Sequence, residues 1–402
     1  MTASTANIPI AIIGAGIAGL TLAIRLRQAG YAVKIFEARS EEVGSEGAFL
    51  TLAPNGINAL KALGLAERIS ARGIQTLGIE MLNASGKRLA LIDERKLQHE
   101  SAAASITLPR SALLEELLMA AKAAGAEICF GHALTDLERE GACVVLRFAN
   151  GVAVRAAWVA GCDGVWSKTR RLAFPDAPPP TYTGLTGTGG FIDLPAVAPT
   201  DGFMRMVFGE HAFFGYIKAE QGPVFWFDSF PLAEHDAMAR PDPRALAAFT
   251  RRLHAGDPEP VGEIAANITH VPRAYPIYDM AHLPRWHDGQ IVLAGEAAHA
   301  VSPHAGQGAS MAIEDVVVLA ACVTHHSTRP AAFAAYQELR RERAEHVVKI
   351  SRQRGTQKQA KGRFALLLRD LILPWVIPFG ARTAHSVMRY RADHAPLVKP
   401  GL

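Results

Sequence analysis

Cysteine is scarce in this chain, with four in 402 residues. Cys129, Cys143, Cys162 and Cys322 stand far apart and form no C-x-x-C pair, so neither a disulfide framework nor a cysteine-ligated zinc site is suggested. A reducing cytoplasm suits them best. Basic residues exceed acidic ones by only a little, for a formal charge of +4, and no run of Lys or Arg concentrates that excess. Nothing here points to nucleic acid. Neither of two apolar candidates makes the roughly 20-residue run that a membrane span requires. Ile8 to Leu26 is interrupted by glycines and Arg25 and lacks the basic start and cleavage site of a signal peptide. Phe364 to Phe379 holds Arg369, Asp370, Pro374 and Pro378. Its basic flank, Lys358, Lys361 and Arg363, is compatible with weak membrane-surface contact, and the plainer expectation is a helix packed on the body of the protein. G-x-S-x-G and any triad order are missing as well, as are internal repeats. His325 and His326 have no carboxylate or cysteine at ligand spacing, so no metal site is expected. Disorder is excluded, because 49% of residues are hydrophobic and 20% charged.

What is present begins at the N-terminus. Ile8 to Ile13 is an apolar run ending in glycine, which suits a buried parallel strand. Leu20, Ala23, Ile24 and Leu26 then recur at helical spacing until Gly30, and Ala32 to Phe36 reads as a second strand ending at Glu37. Between strand and helix stands Gly14-Ala15-Gly16-Ile17-Ala18-Gly19, a G-x-G-x-x-G fingerprint. Gly14 permits the tight turn, Gly16 lets a pyrophosphate approach the backbone, and Gly19 lets helix and strand pack closely. The helix N-terminus offers free N–H groups to phosphates. Glu37 can accept hydrogen bonds from ribose hydroxyls and would repel a 2′-phosphate, which disfavours NADP in this loop.

Further along, Pro54–Leu63 and Ser111–Ala124 read as helices, and Ala157–Ala160 and Gln290–Ala294 as short buried strands running into glycine. Four prolines between Pro175 and Pro180 mark a crossing between units. Residues 181–278 change to strand-like alternation, with aromatics clustered from Phe203 to Phe230. The run Gly184, Gly187, Gly189 and Gly190 reads as a strand or bend, not a second nucleotide loop. From Ala309 the chain is helical again to about Lys349.

Two more motifs follow the fingerprint in order. Gly161-Cys162-Asp163-Gly164 leads through Trp166 and Ser167 to Arg170; Ala294-Gly295-Glu296-Ala297-Ala298-His299 leads to Pro303 and Gly306-Gln307-Gly308. Together the three resemble the single-component FAD-dependent aromatic hydroxylases, the group that includes p-hydroxybenzoate and salicylate hydroxylases and tetracycline-inactivating monooxygenases. The resemblance spans most of the chain and is weakest at 181–278. It implies an α/β fold: a Rossmann-like FAD-binding domain (1–72, 102–176 and 279–330) interleaved with a β-rich substrate-binding domain (73–101 and 177–278), then a C-terminal helical segment (331–402).

By the same resemblance, FAD is held by Gly14, Gly16, Ala18, Gly19, Glu37, Arg110, Asp163, Glu296, Gly306 and Gly308, with Ser167 and Arg170 holding the Asp163 loop. Glu296 replaces the family's aspartate, the same acceptor on a longer arm. Pro303 and Gly306 lie beside the flavin, and His304 is a candidate to line the cavity. His299 is expected to hydrogen-bond locally, and Glu314 and Asp315 to be helix-surface or structural acids. The implied reaction takes NADH or NADPH as a transient co-substrate and passes one oxygen from a flavin C4a-hydroperoxide to an aromatic or polycyclic small molecule. Phe213, Phe214, Tyr216, Phe225, Trp226 and Phe227 are candidate substrate-binding residues. Strand alternation allows only about half of them to face one cavity. A monomer or homodimer is expected. A related epoxidase, halogenase or reductase, or a non-turnover FAD binder, remains the alternative; Pro374 to Pro378 only partly echoes the halogenase W-x-W-x-I-P signature.

Overall fold

The structure, a computed structural model, describes residues 8–41, 49–101, 103–239, 242–359 and 363–395. Its first layer is a five-stranded parallel sheet in the spatial order Ile291–Leu293, Val159–Gly161, Ile10–Ile13, Val33–Phe36, Glu127–Cys129. The central strands Ile10–Ile13 and Val159–Gly161 are unbroken apolar runs because both faces are covered, and Val33–Phe36 admits only the partly exposed Lys34. The helix Ile17–Gln28 packs on Gly308–His325 on one side and on Arg110–Ala123 on the other. The helix Gly308–His325 is long and apolar enough to cross a membrane by composition alone, yet 67% of it is buried within the fold. It is a core helix.

From the proline-rich crossing the chain enters a seven-stranded sheet, ordered Tyr275–Asp279, Thr181–Ile192, Val224–Pro231, Phe213–Ile217, Phe203–Phe208, Gly78–Asn83, Arg88–Asp93. Neighbours run antiparallel except for Phe203–Phe208 beside Gly78–Asn83. Strands 78–93 thus join the same sheet as strands 181–279. The glycine run lies inside Thr181–Ile192, where pairing with Tyr275–Asp279 slips between Tyr182 and Thr186 and Gly184 takes φ +81.

Three features differ from the expectation. Residues 234–266, read as part of the strand-like region, form the helices Glu234–Met238, Pro243–His254 and Val261–Ala266. The helical stretch read from Ala309 to about Lys349 divides into two helices, Gly308–His325 and Arg329–Thr356, the second running past it; Thr328 accepts the Ala331 N–H, and Pro330 occupies the first turn, where its missing donor costs nothing. Finally, Arg329–Thr356 is no appendage, since Phe333, Tyr336, Ala344, Val347 and Val348 sit in the main core.

The C-terminal helix Arg363–Met388 runs through Pro374 and Pro378. It buries Leu373 and Ile377 against Phe208 and Phe213, while Leu371 and Trp375 stay exposed, Trp375 at 76%. Of its basic flank, Lys358 turns inward onto Phe213, and Lys361 lies outside the described residues.

Beneath the outer face of the seven-stranded sheet, His254 is buried between two carboxylates. Its Nδ1 lies 2.7 Å from Asp257 and its Nε2 3.5 Å from Asp228, whose other oxygen accepts the Thr188 N–H and hydroxyl. Burial opposes its charge, but the two carboxylates outweigh it and raise the imidazole to about 9. A raised folded-state pKa stabilises fully below the unfolded value and loses that contribution as pH climbs through the folded one. Chemical unfolding should therefore show about 3 kcal/mol of stability lost between about pH 6 and about pH 9.5. His254→Gln should flatten that slope, and a slope unchanged in the variant would assign the loss elsewhere.

Candidate active site

The fingerprint loop does three separate things. Gly14 has φ +101, and a Cβ there would stand 2.6 Å from the Cys162 carbonyl oxygen. At Gly19 a Cβ would fall 1.9 Å from the Gly14 carbonyl oxygen, so helix and turn touch backbone to backbone. Gly16 is different: no atom lies within 4 Å of its would-be Cβ. The helix beginning at Ile17 has no side-chain cap, which leaves its first N–H groups facing that open space. Ala18 turns away from it, its methyl packing 3.1 Å from a Cβ built on Gly295.

Glu37 closes the adjacent strand. One carboxylate oxygen accepts the Ala15 N–H at 2.8 Å, and the other accepts the Arg39 N–H and Nε at 3.1 and 2.9 Å. Burial alone would raise this carboxyl, but these donors win and hold it below the usual carboxylate range. It is anchored and ionised.

Asp163 spends its carboxylate within its own loop. Oδ1 accepts the Ser167 hydroxyl at 2.5 Å, and Oδ2 accepts the Thr169 N–H and hydroxyl at 2.9 and 3.0 Å. Ser167 in turn accepts the Arg170 N–H at 2.9 Å. Arg170, buried, donates to the Val165 carbonyl and across to the Ala297 carbonyl at 2.8 Å. That bond ties the second motif to the third. Glu296 is exposed, and its two oxygens lie 4.0 Å from a Cβ built on Gly164 and 3.8 Å from one built on Gly308.

Pro303 and Gly306 are exposed beside it; Gly306 takes φ +64 with nothing within 4 Å of its would-be Cβ. Their loop is pinned from behind, because Ser351 donates to the Ser302 carbonyl at 2.6 Å and accepts the Ala305 N–H at 3.1 Å. His304 presses on the long helix, 2.7 Å from a Cβ built on Gly355. Burial, with Lys358 adding to it, pushes this imidazole down to about 2, so it is neutral. Arg110 opens the helix Arg110–Ala123 and is exposed.

The expectation of surface acids at Glu314 and Asp315 is half corrected, because both are fully buried. Glu314 receives Arg340, both ends of Arg343, and Asn55; Asp315 receives Arg340 at 2.7 Å, the Gly295 N–H at 3.1 Å, and His299 Nε2. The third motif is thus fastened to a buried ionic cluster. His299 bonds locally, within it.

The six candidate substrate-binding aromatics split by strand parity. Phe214, Tyr216 and Trp226 point to the outer face and pack under the helices Pro243–His254 and Val261–Ala266, against Leu246, Ala247, Val261 and Ile264. They are core, which corrects their assignment to a cavity wall. Phe213, Phe225 and Phe227 occupy the opposite face. There Phe49, missed in the sequence, meets Phe225 in a tilted contact with ring centroids 5.4 Å apart and Phe227 edge-on at 5.8 Å. Gly215 lets the Phe227 ring lie flat on the sheet, since a Cβ there would stand 2.2 Å from the ring.

A Rossmann frame carrying a separate aromatic-faced sheet, with three loops meeting at one open cradle, defines a dinucleotide-binding protein. Residues 7–351 match the family model for the FAD binding domain. The chain is 30% identical over 370 residues to aurachin C monooxygenase/isomerase of Stigmatella aurantiaca, covering 91% of this chain and 94% of that one. It is 31% identical over 352 residues to 3-amino-4-hydroxybenzoate 2-monooxygenase of Streptomyces cremeus, covering 86% of each. Klebsiella pneumoniae HpxO, solved with FAD and uric acid, superposes with a TM-score of 0.84 at 24% identity, over 98% of this chain and 100% of that chain. The chain belongs to the FAD-dependent aromatic hydroxylase family: an FAD-dependent monooxygenase, with NAD(P)H use typical of its relatives.

Proposed function

We propose that this monooxygenase hydroxylates a flat aromatic or polycyclic small molecule held between the Pro303–Gly306 loop and the sheet face of Phe213, Phe225 and Phe227. The observation that carries this reading is the aromatic patch of Phe225 and Phe227, which Phe49 extends from the neighbouring sheet. Aromatic walls suit a planar ring. The named relatives act on or bind ring compounds, among them 3-amino-4-hydroxybenzoate and uric acid.

The residues present fit FAD. Gly16 and the uncapped start of Ile17–Gln28 leave a cradle that any larger side chain would fill, suited to the pyrophosphate. Glu37, anchored and ionised, would accept the ribose hydroxyls, and Arg110 would reach the same cofactor from its helix start. Glu296, between Gly164 and Gly308, would be the acceptor for the ribityl chain. When bound, FAD supplies the electron transfer and oxygen chemistry. The chain's own part is to bind, orient and exclude water. The helix Gly308–His325, whose N-terminus has no side-chain cap, would favour negative charge on a group bound at that end. The ionic cluster behind it keeps that helix and the Gly295 turn in one position.

In domain terms, we assign FAD binding to 1–72, 102–176 and 279–330 and substrate binding to 73–101 and 177–278. The partition of strands between the two large sheets supports this division.

The test is turnover by the FAD-loaded protein with aromatic acids, quinolones and polyketides. Stimulated NAD(P)H oxidation, oxygen uptake and a product heavier by one oxygen atom are expected. A halogenated or reduced product, or reduction of flavin with no organic product, would overturn the reading.

A further inference from the structure

Lys358 follows the long helix in the short turn Gln357–Gln359 and reaches the aromatic face of the seven-stranded sheet. Its Nζ stands 3.6 Å from the centroid of Phe213 and 5.9 Å from that of Phe227. The residue is only partly exposed, so its ammonium is withdrawn from bulk water. Among the described residues it makes no ion pair. The groups that face it are cationic or neutral. Arg354 lies one turn back on its own helix, and neutral His304 faces it from the loop beside Pro303. The nearest offset to Arg354 is Glu94, which is engaged by the Ser105 hydroxyl at 3.0 Å. A partly desolvated cation with aromatic faces on one side and no counter-ion is costly to keep unless something negative completes it.

We propose that Lys358 is a substrate-anchoring residue, and that the ring compound taken by this site carries an anionic oxygen, carboxylate or phenolate, which the Lys358 ammonium receives. The inference rests on the proposed placement of the substrate against Phe213 and Phe227 and narrows its chemical class. A cation–π contact holds the ammonium in position, and the anion supplies the charge-assisted hydrogen bond that the protein does not. Burial, with Arg354 adding to it, lowers this lysine to about 7. The anion is therefore bound best below neutrality, where the amine is protonated, and binding weakens as pH rises.

Calorimetry of the FAD-loaded protein with benzoate and with its neutral analogue benzamide tests this directly. Benzoate should bind about tenfold or more tightly than benzamide at about pH 6.5, and its affinity should fall about tenfold per pH unit above about 7. Lys358→Met should abolish the preference. Lys358→Arg should restore it and remove the pH dependence, which a lysine needed only for packing would not do. Equal affinities, no benzoate binding, or a preference that survives Lys358→Met would each overturn the proposal. NAD(P)H oxidation is followed separately: if no aromatic compound stimulates it, the hydroxylase reading fails, while the benzoate preference stands or falls alone.

Discussion

Gly16→Val is expected to fold as stably as the natural sequence and to purify without FAD, whereas Gly19→Ala is expected to lose both stability and cofactor. The two glycines belong to one motif but meet different surroundings. A Cβ at Gly16 meets nothing within 4 Å, and its φ of −81 is open to any residue. Valine there projects only into the cradle. It would displace a pyrophosphate from the N–H groups at the helix start, and losing two charged hydrogen bonds corresponds to about 100-fold or more in affinity. At Gly19 the added carbon would stand 1.9 Å from the Gly14 carbonyl oxygen and 3.2 Å from Ile12. Backbone must move in the centre of the parallel sheet, at a cost of about 3 kcal/mol, the upper part of the overpacking range. Urea unfolding of the flavin-free proteins separates fold from site, and flavin absorbance after dialysis against FAD reads the site alone. A Gly16→Val protein that stays yellow would refute the placement of the pyrophosphate.

This pair also shows which parts of the molecule were legible in the sequence. The roles of Gly14, Gly16 and Gly19 follow from a turn only six residues long, so local spacing was enough to state them. The aromatic face was half legible. A period of two says that Phe213 and Phe214 point opposite ways, but it does not say which way is inward. That sign is set by the helices Pro243–His254 and Val261–Ala266, which cover Phe214, Tyr216 and Trp226 and which were themselves read as strand. Phe49 lies far from the cluster in the chain and reaches it only through pairing of Phe49–Leu52 with Ser105–Pro109. Lys358 read as part of a basic flank because nothing local reveals that Phe213 lies above it. Glu314 and Asp315 looked like ordinary helix acids for the same reason: their cationic partners are 25 to 29 residues away on the next helix.

Arg340→Met is expected to cost about 3–5 kcal/mol of folding stability, the range for breaking a buried ion pair by removing one partner. The cluster balances two carboxylates, Glu314 and Asp315, against two guanidiniums, Arg340 and Arg343, and the first three are fully buried. Without Arg340, Glu314 keeps Arg343, but Asp315 is left with His299 and the Gly295 N–H. Burial would by itself raise both acids. At Glu314 the charges of Arg340 and Arg343 outweigh it, and at Asp315 those of His299 and Arg340, so both stay below the ordinary range. A depressed carboxyl stabilises above its unfolded value and loses that contribution as pH falls through the folded one. The variant, with one counter-charge gone, should therefore begin to unfold at a higher pH on acidification than the natural protein does. Because Asp315 also holds the Gly295 turn that leads into Glu296, FAD affinity should fall together with stability. Urea midpoints at neutral and mildly acidic pH, with and without FAD, test all three consequences. A loss below about 1 kcal/mol, the scale of an exposed pair, would mean that the cluster is not what fastens the third motif to the core.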